Sequence, residues 1–179
     1  IFSEELGTSP ARSLAVDLLH TVYYGPMMRW TSAALWRVLL RNPWGDKGPK
    51  PTRHELGVRR LRADMLLWCQ NANIAHQDRI GDLTLKMLGD AAGAEDNEAN
   101  PHGGGGLKLK AHETCVMSHW ALDLVRRLKC QIPFEDDMVA AGQALQDFLN
   151  VLREAPLTLP PRTCQRLFDL MQTHLVRSE

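Results

Sequence analysis

The stretch that decides the fold class is residues 134–154, which read FEDDMVAAGQALQDFLNVLRE. Its large apolar side chains recur three and four residues apart, at Leu145, Phe148, Leu149 and Leu152. Side chains with this spacing lie on one face of an α-helix. The carboxylates of residues 135–137 suit the positive end of a helix dipole. The pattern therefore predicts an amphipathic helix whose apolar face packs into a core.

The same periodicity predicts six further helices on either side of this segment. They cover about residues 9–24, 27–41, 52–70, 75–88 and 108–129 and the segment after Pro161. The last of them is predicted to pack through Leu167, Leu170, Met171 and Leu175.

Punctuation residues set the predicted helix ends. Ser9 before Pro10 is typical of a helix start, and the Asn42–Pro43 pair is typical of a helix end, because proline disfavours helical backbone in the residue before it. Thr52 and Glu55 match a capping box, in which each side chain accepts a hydrogen bond from the other residue's backbone amide.

No segment alternates apolar and polar residues over strand length, and no hairpin dipeptide is present. We therefore expect an all-α fold with about seven helices in antiparallel pairs. Both a compact helical bundle and a short α-solenoid-like domain remain open, since no fixed repeat period is visible. Residues 1–179 are predicted to form a single helical domain. A flexible loop, acidic and then glycine-rich, is expected at about 90–106, either native or an artificial junction.

Composition narrows the function classes. The chain has 179 residues, of which 44% are hydrophobic and 23% charged, so it is long and apolar enough to bury a core. Its 21 basic and 21 acidic residues give a net charge of zero, whereas nucleic-acid binders usually carry a basic excess. No segment approaches the roughly 20 apolar residues of a membrane span, and no signal peptide begins the chain. We expect a fragment of a larger protein, with no membrane partner.

Four cysteines lie within apolar, helical runs: Cys69, Cys115, Cys130 and Cys164. None forms a C-x-x-C pair, and free cysteine behaves as a small apolar residue in such surroundings. We expect reduced thiols in a cytoplasmic or nuclear protein, although an even number also permits two disulfides.

The segment around Cys115 contains three candidate metal ligands. His112, Cys115 and His119 share a helix face at the spacing i, i+3 and i+7, which zinc ligands can use. Val116, however, occupies the position where an H-E-x-x-H motif has its second histidine. The interpretation favoured here is a half-exposed helix face without a metal.

Two groups of basic residues are candidate partner-binding residues. They are Arg59, Arg60 and Arg62 in the third predicted helix and Arg126, Arg127 and Lys129 in the fifth. If these helices pack side by side, the two groups form a basic strip for phosphate or an acidic partner. Otherwise they form a solvated face whose aliphatic stems cover apolar neighbours.

Trp44 is the third candidate for partner binding, because it lies in the Asn42–Gly45 loop and on no apolar helix face. Tryptophan is enriched in binding hot spots. More often, such a ring folds back as a lid on the core, and this is the interpretation favoured here.

No catalytic residue set is visible. The glycines at 103–106 precede no G-K-[ST] triplet, so they do not form a phosphate loop. Ser118 and His119 are adjacent and would point about 100° apart on a helix, too far to share a proton. The sequence favours a non-enzymatic helical protein–protein interaction domain, a scaffold part of a larger assembly, with no cofactor. The alternative is a nucleic-acid or phospho-ligand binding module using the basic strip.

Overall fold

The computed structural model describes residues 19–88, 107, 109–128, 135–156 and 158–178, and in these ranges all regular structure is helical, without a strand. A π-type helical segment, Leu19–Met27, comes first. It is followed by α1 (Met28–Arg41), α2 (Lys50–Asn71), a 3-10 turn (His76–Asp78), α3 (Ala111–Arg127), α4 (Glu135–Glu154) and α5 (Pro161–Ser178). The predicted all-α class is confirmed.

One cluster of buried apolar side chains, which we call the central cluster, joins the π-type segment, α1, α2, α3 and α4. Trp120 of α3 is fully buried in it. The indole nitrogen of Trp30 donates a 3.0 Å hydrogen bond to the carbonyl of Met138, which ties α1 to α4. Gly142 lies under the same ring, and a Cβ added there would overlap it. The absence of a side chain at this glycine thus sets how closely α1 approaches α4.

The predicted helix at 75–88 is wrong. This segment has only the 3-10 turn and a later turn, yet it still buries Ile80, Leu83 and Leu88. Short polar side chains offer its backbone other hydrogen bonds: the Asp82 carboxylate accepts from the amide of Leu83 at 2.8 Å. Side chains that hydrogen-bond to nearby backbone amides compete with the hydrogen bonds of a helix and so disfavour it. The apolar side chains of this segment are buried although the segment is irregular.

In the described part of the chain's start, the predicted break at Gly25 is confirmed. The backbone of Gly25 is non-helical (φ −95°, ψ −114°), so a kink separates the helical residues before it from those that lead into α1. Residues 1–18, with the predicted start at Ser9, lie outside the described residues, as does the predicted loop at 90–106.

The loop between α1 and α2 shows one confirmed and one wrong prediction. Asn42 ends α1 in the left-handed conformation (φ 48°), with its amide bonded to the Val38 carbonyl at 3.0 Å. The predicted capping box is wrong, because α2 begins at Lys50 and places Thr52 inside its first turn. Pro51 explains the earlier start, since proline fits the first turn of a helix.

The face of α4 that enters the cluster is narrower than predicted. Leu145 and Leu149 are 1% exposed, whereas Phe148 and Leu152 are only partly buried. Met138 and Ala141 complete the buried row towards the start of the helix.

The last helix, α5, contributes nothing to the central cluster and packs mainly on α4. The ring of His174 lies with Nδ1 3.1 Å from the carbonyl oxygen of Ala141. Near the end of α5, Arg177 pairs with Asp137 at 2.6 Å. Among the described helices, chiefly α4 covers α5, and many side chains of α5 are exposed.

Candidate functional site

The three candidate arginines of α2 are each paired with a different carboxylate. Arg59 contacts Glu55 at 3.5 Å, Arg60 contacts Asp46 at 2.8 Å and Arg62 contacts Asp82 at 3.2 Å. Asp46 lies in the loop before α2 and Asp82 in the segment after it, so the guanidinium groups of Arg60 and Arg62 reach towards different parts of the chain. The Arg59 and Arg62 pairs are exposed on both sides, and such pairs stabilise a fold by about 0–1 kcal/mol each, whereas the Asp46 side chain of the Arg60 pair is only 9% exposed.

The candidates on α3 also separate. Arg127 reaches α2, where its two terminal nitrogens bind Asp64 at 2.9 and 2.7 Å, while its Nε binds Asp123 at 2.8 Å. Arg126 instead contacts Gln143 of α4. Lys129 lies outside the described residues. The structure thus brings α2 and α3 together, but the contact is made through the carboxylate of Asp64. The described arginines bind different partners and do not form one group.

Asp64 is the polar centre of the contact between α2 and α3. Besides binding Arg127, it accepts a 2.8 Å hydrogen bond from the indole nitrogen of the buried Trp120. Partial burial would by itself raise the pKa of Asp64, but the hydrogen bonds from Arg127 and Trp120 and the charge of Arg127 outweigh it and lower the pKa. The hydrogen bond with Asp64 is in turn the largest cause that raises the pKa of Arg127. This carboxylate fastens the two helices to each other.

Trp44 lies partly buried against the central cluster. Its ring approaches Gly57 of α2, where an added Cβ would lie 3.2 Å from the indole carbon Cζ3. The guanidinium carbon of Arg60 lies 6.0 Å from the ring centroid, which is within cation–π range. The geometry is that of a lid on the first turns of α2.

Helix α5 carries exposed apolar side chains that the sequence analysis did not propose as a site. Phe168 is 59% exposed and Leu175 is 52% exposed. Leu175 belongs to the predicted apolar row of this helix, and the structure leaves it exposed. We define the α5 apolar stripe as the exposed Cys164, Phe168 and Leu175 together with the partly buried Met171.

The stripe lies next to a second row of side chains on α5, in which Leu167 and His174 are buried and Leu170 is partly buried. At 100° per residue, the stripe and the row Leu167, Leu170 and His174 together form an apolar arc of about 160°. One neighbouring helix covers only part of so wide an arc, and α4 covers the side of Leu167 and His174. The width of this arc was visible in the sequence and is the signal that could have identified the stripe.

A second group of side chains lies where α3, α4 and the π-type segment meet. The Sγ atom of Cys115 accepts a hydrogen bond from Nη2 of Arg153 at 3.3 Å. Arg153 also interacts with the Tyr23 side chain. His119, one helical turn from Cys115, is partly buried, and burial together with the charge of Arg153 lowers its pKa. We refer to Tyr23, Cys115, His119 and Arg153 as the thiol–arginine cluster.

The interior of the seam beside Cys115 is polar. The hydroxyl of Ser118 donates to the Cys115 carbonyl at 2.8 Å and accepts from the Gln146 side-chain amide at 2.8 Å. Gln146 is 4% exposed, and its side-chain oxygen Oε1 has no hydrogen-bond partner among the described residues. Within those residues, no three histidine, cysteine, aspartate or glutamate side chains come together as a metal site.

Comparison with known proteins adds no homologue. No family model, curated protein or solved structure matches the chain. In the part of the chain that the structure describes, none of the helices is both long and apolar enough to cross a membrane. What the chain does has to be inferred from its own surface.

Proposed function

We propose that this chain is a non-enzymatic helical protein–protein interaction domain, a scaffold part of a larger assembly, and that the α5 apolar stripe is its contact surface. The observation that carries the proposal is the exposure of Phe168 and Leu175 beside a packed helix seam. Contiguous exposed apolar side chains are typical of interaction sites, and aromatic residues are frequent anchors there.

The position of α5 suits this role. The stripe has the anchor spacing i, i+4, i+7 and i+11 that a helix uses when one of its faces enters a partner's groove. The stripe side chains belong to a helix that His174 and Arg177 already fix against α4. A partner would therefore bind formed structure, which lowers the entropy lost on association. Burying a side chain the size of Phe168 or Leu175 contributes about 1.5–3 kcal/mol when complete.

Two finer features belong to the same proposal. We expect the helices to form antiparallel pairs in a compact bundle or a short solenoid-like unit, and the protein to act in the cytoplasm or nucleus. Among the described residues, three cysteines are free thiols, namely Cys69, Cys115 and Cys164. Free thiols support a reducing compartment.

The test compares acidic substitutions on the two sides of α5. The double variant Phe168→Glu with Leu175→Glu places charges on the stripe. The matched control is Val176→Glu, because Val176 is 66% exposed but lies about 100° around the helix from Leu175. Wild type and variants of the full-length protein are used to capture partners, which are identified by mass spectrometry. We expect the stripe variant to lose a specific partner that the control retains, with unchanged thermal unfolding in both.

The alternative function, a nucleic-acid or phospho-ligand module, is tested in the same experiment by charge reversal at Arg60 and Arg127. In the structure a phosphate would have to compete with Asp46 and Asp64 for these two arginines. If charge reversal abolishes binding in a salt-dependent way while the stripe variant binds every wild-type partner, the alternative replaces the proposal.

A further inference from the structure

Arg153 differs from the arginines of the predicted basic strip in the partners it has. Arg59, Arg60, Arg62 and Arg127 each bind a carboxylate. No carboxylate of the described residues pairs with Arg153, whose contacts are the thiol of Cys115 and the side chain of Tyr23. Its side chain is exposed, so the guanidinium remains accessible to an anion from solution. A carboxylate matches this planar group and can accept two parallel hydrogen bonds from it.

The thiol beside Arg153 differs from the other two thiols in the described part of the chain. Cys69 is 1% exposed, and burial raises the pKa of its thiol, so it is both shielded and unreactive. Cys164 is exposed in the first turn of α5, and its thiol donates a 3.9 Å hydrogen bond to the Leu159 carbonyl. Cys115 combines partial exposure with a cation in contact with its sulfur.

We propose that Cys115 is a modification site, which reacts by thiol–disulfide exchange with small disulfides that carry carboxylates, and that Arg153 binds the carboxylate of the incoming reagent. The thiolate is the attacking species in such an exchange, and a neighbouring guanidinium stabilises negative charge on sulfur. The same guanidinium holds the reagent beside the sulfur. Oxidised glutathione is the representative reagent of this class.

The reaction is balanced without any further oxidant. The proton of the Cys115 thiol leaves to water, and the Sγ electron pair attacks one sulfur of the disulfide. A bond forms between Sγ and that sulfur, the disulfide bond of the reagent breaks, and the other half departs as a thiolate. Cys115 is oxidised while the departing half is reduced. Ser118 is not a proton acceptor in this step, because its hydroxyl is held between the Cys115 carbonyl and Gln146.

The charged and titratable groups around Arg153 in the thiol–arginine cluster come from three elements. Burial and the charge of Arg153 lower the pKa of His119 of α3, which disfavours its charged form. Tyr23 comes from the π-type segment and Arg153 from α4. Arg153 carries a permanent positive charge and is the group that hydrogen-bonds to the sulfur, so the selectivity for anionic reagents is assigned to it.

The experiment measures each cysteine separately in the intact chain. The protein is treated with oxidised glutathione or with the uncharged hydroxyethyl disulfide, and peptide mass spectrometry follows adduct formation at every cysteine. The quantity compared is the rate with the anionic reagent divided by the rate with the neutral one. Arg153→Gln is the test variant. Arg166→Gln, an exposed arginine of α5, is the matched control.

We expect Cys115 to prefer the anionic reagent and Cys164 not to. Arg153→Gln should lower the preference at Cys115 by about fivefold, the effect of one charge pair about 4 Å apart in water. Arg166→Gln should leave it unchanged. In the wild type, raising the salt concentration should weaken the preference at Cys115, a readout that needs no variant. The proposal is overturned if Cys164 shows the same preference, if the two arginine variants behave alike, or if salt has no effect.

Discussion

Removing the carboxylate of Asp64 should loosen the contact between α2 and α3. In Asp64→Ala the indole nitrogen of Trp120 loses its acceptor, and Trp120 is fully buried. A buried donor without a partner costs roughly 1–3 kcal/mol. The side chains of the Asp64–Arg127 pair are 30% and 46% exposed, so losing that pair adds only about 0–1 kcal/mol. We expect a total loss of about 2–3 kcal/mol in the free energy of unfolding.

Asp64→Asn separates the two contributions. Asparagine keeps an oxygen that accepts from Trp120 but carries no charge, so this variant should lose less than about 1 kcal/mol. The assay is urea unfolding at neutral pH, followed by tryptophan fluorescence, with the slope against urea checked for constancy. Trp120→Phe completes a double-mutant cycle with Asp64→Ala, and the coupling energy should exceed about 1 kcal/mol. Additive losses, or a loss below about 0.5 kcal/mol in Asp64→Ala, would refute the assignment of Asp64 as the fastening group.

Acid should remove part of the same contribution. The interactions of Asp64 lower its pKa in the folded protein below the ordinary value of 3.8. The ionised carboxylate therefore stabilises the fold fully above that ordinary value, and the contribution is lost as pH falls through the folded pKa. Asparagine does not titrate. The difference in unfolding free energy between wild type and Asp64→Asn should accordingly shrink as the pH is lowered from about 5 towards 2.

Three further substitutions test the packing. Gly142→Ala should lower the free energy of unfolding by about 1–3 kcal/mol, because its methyl group would overlap the ring of Trp30. The control Gly81→Ala has open space around the added methyl group and should leave thermal unfolding unchanged. Equal effects of the two substitutions would contradict the close approach of α1 to α4. Leu149→Ala should cost about 2–5 kcal/mol in urea unfolding, since this side chain is 1% exposed, and a loss under about 1 kcal/mol would show that the face is not buried. Replacing residues 90–106 with a shorter Gly–Ser linker should leave the melting temperature nearly unchanged, because loop length costs little closure entropy, and a large drop would mean that the loop packs.

How far the sequence predicts this protein depends on the range of the interactions involved. Helix class and most helix ends follow from residues close together in the chain: the Asn42–Pro43 pair stops α1, and proline opens α5. Where local signals conflict, the prediction fails. Residues 75–88 have helical apolar spacing, but their polar side chains bond to nearby amides, and the segment stays irregular.

The candidate site depends on contacts that no local pattern encodes. The arginine groups were found in the sequence, but their partners Asp46, Asp64 and Asp82 lie on other segments, and only the packed chain brings them together. Cys115 and Arg153 are 38 residues apart and meet because α3 lies against α4.

The sequence by itself determined that the chain is helical, that α4 is amphipathic and that α5 has a wide apolar arc, because backbone preference and side-chain periodicity act over a few residues. Only the tertiary structure decided which part of each apolar arc is buried. Leu167 and Leu175 both belong to the arc of α5, yet one is 8% and the other 52% exposed. Burial depends on how many helices lie alongside, and α5 has chiefly α4.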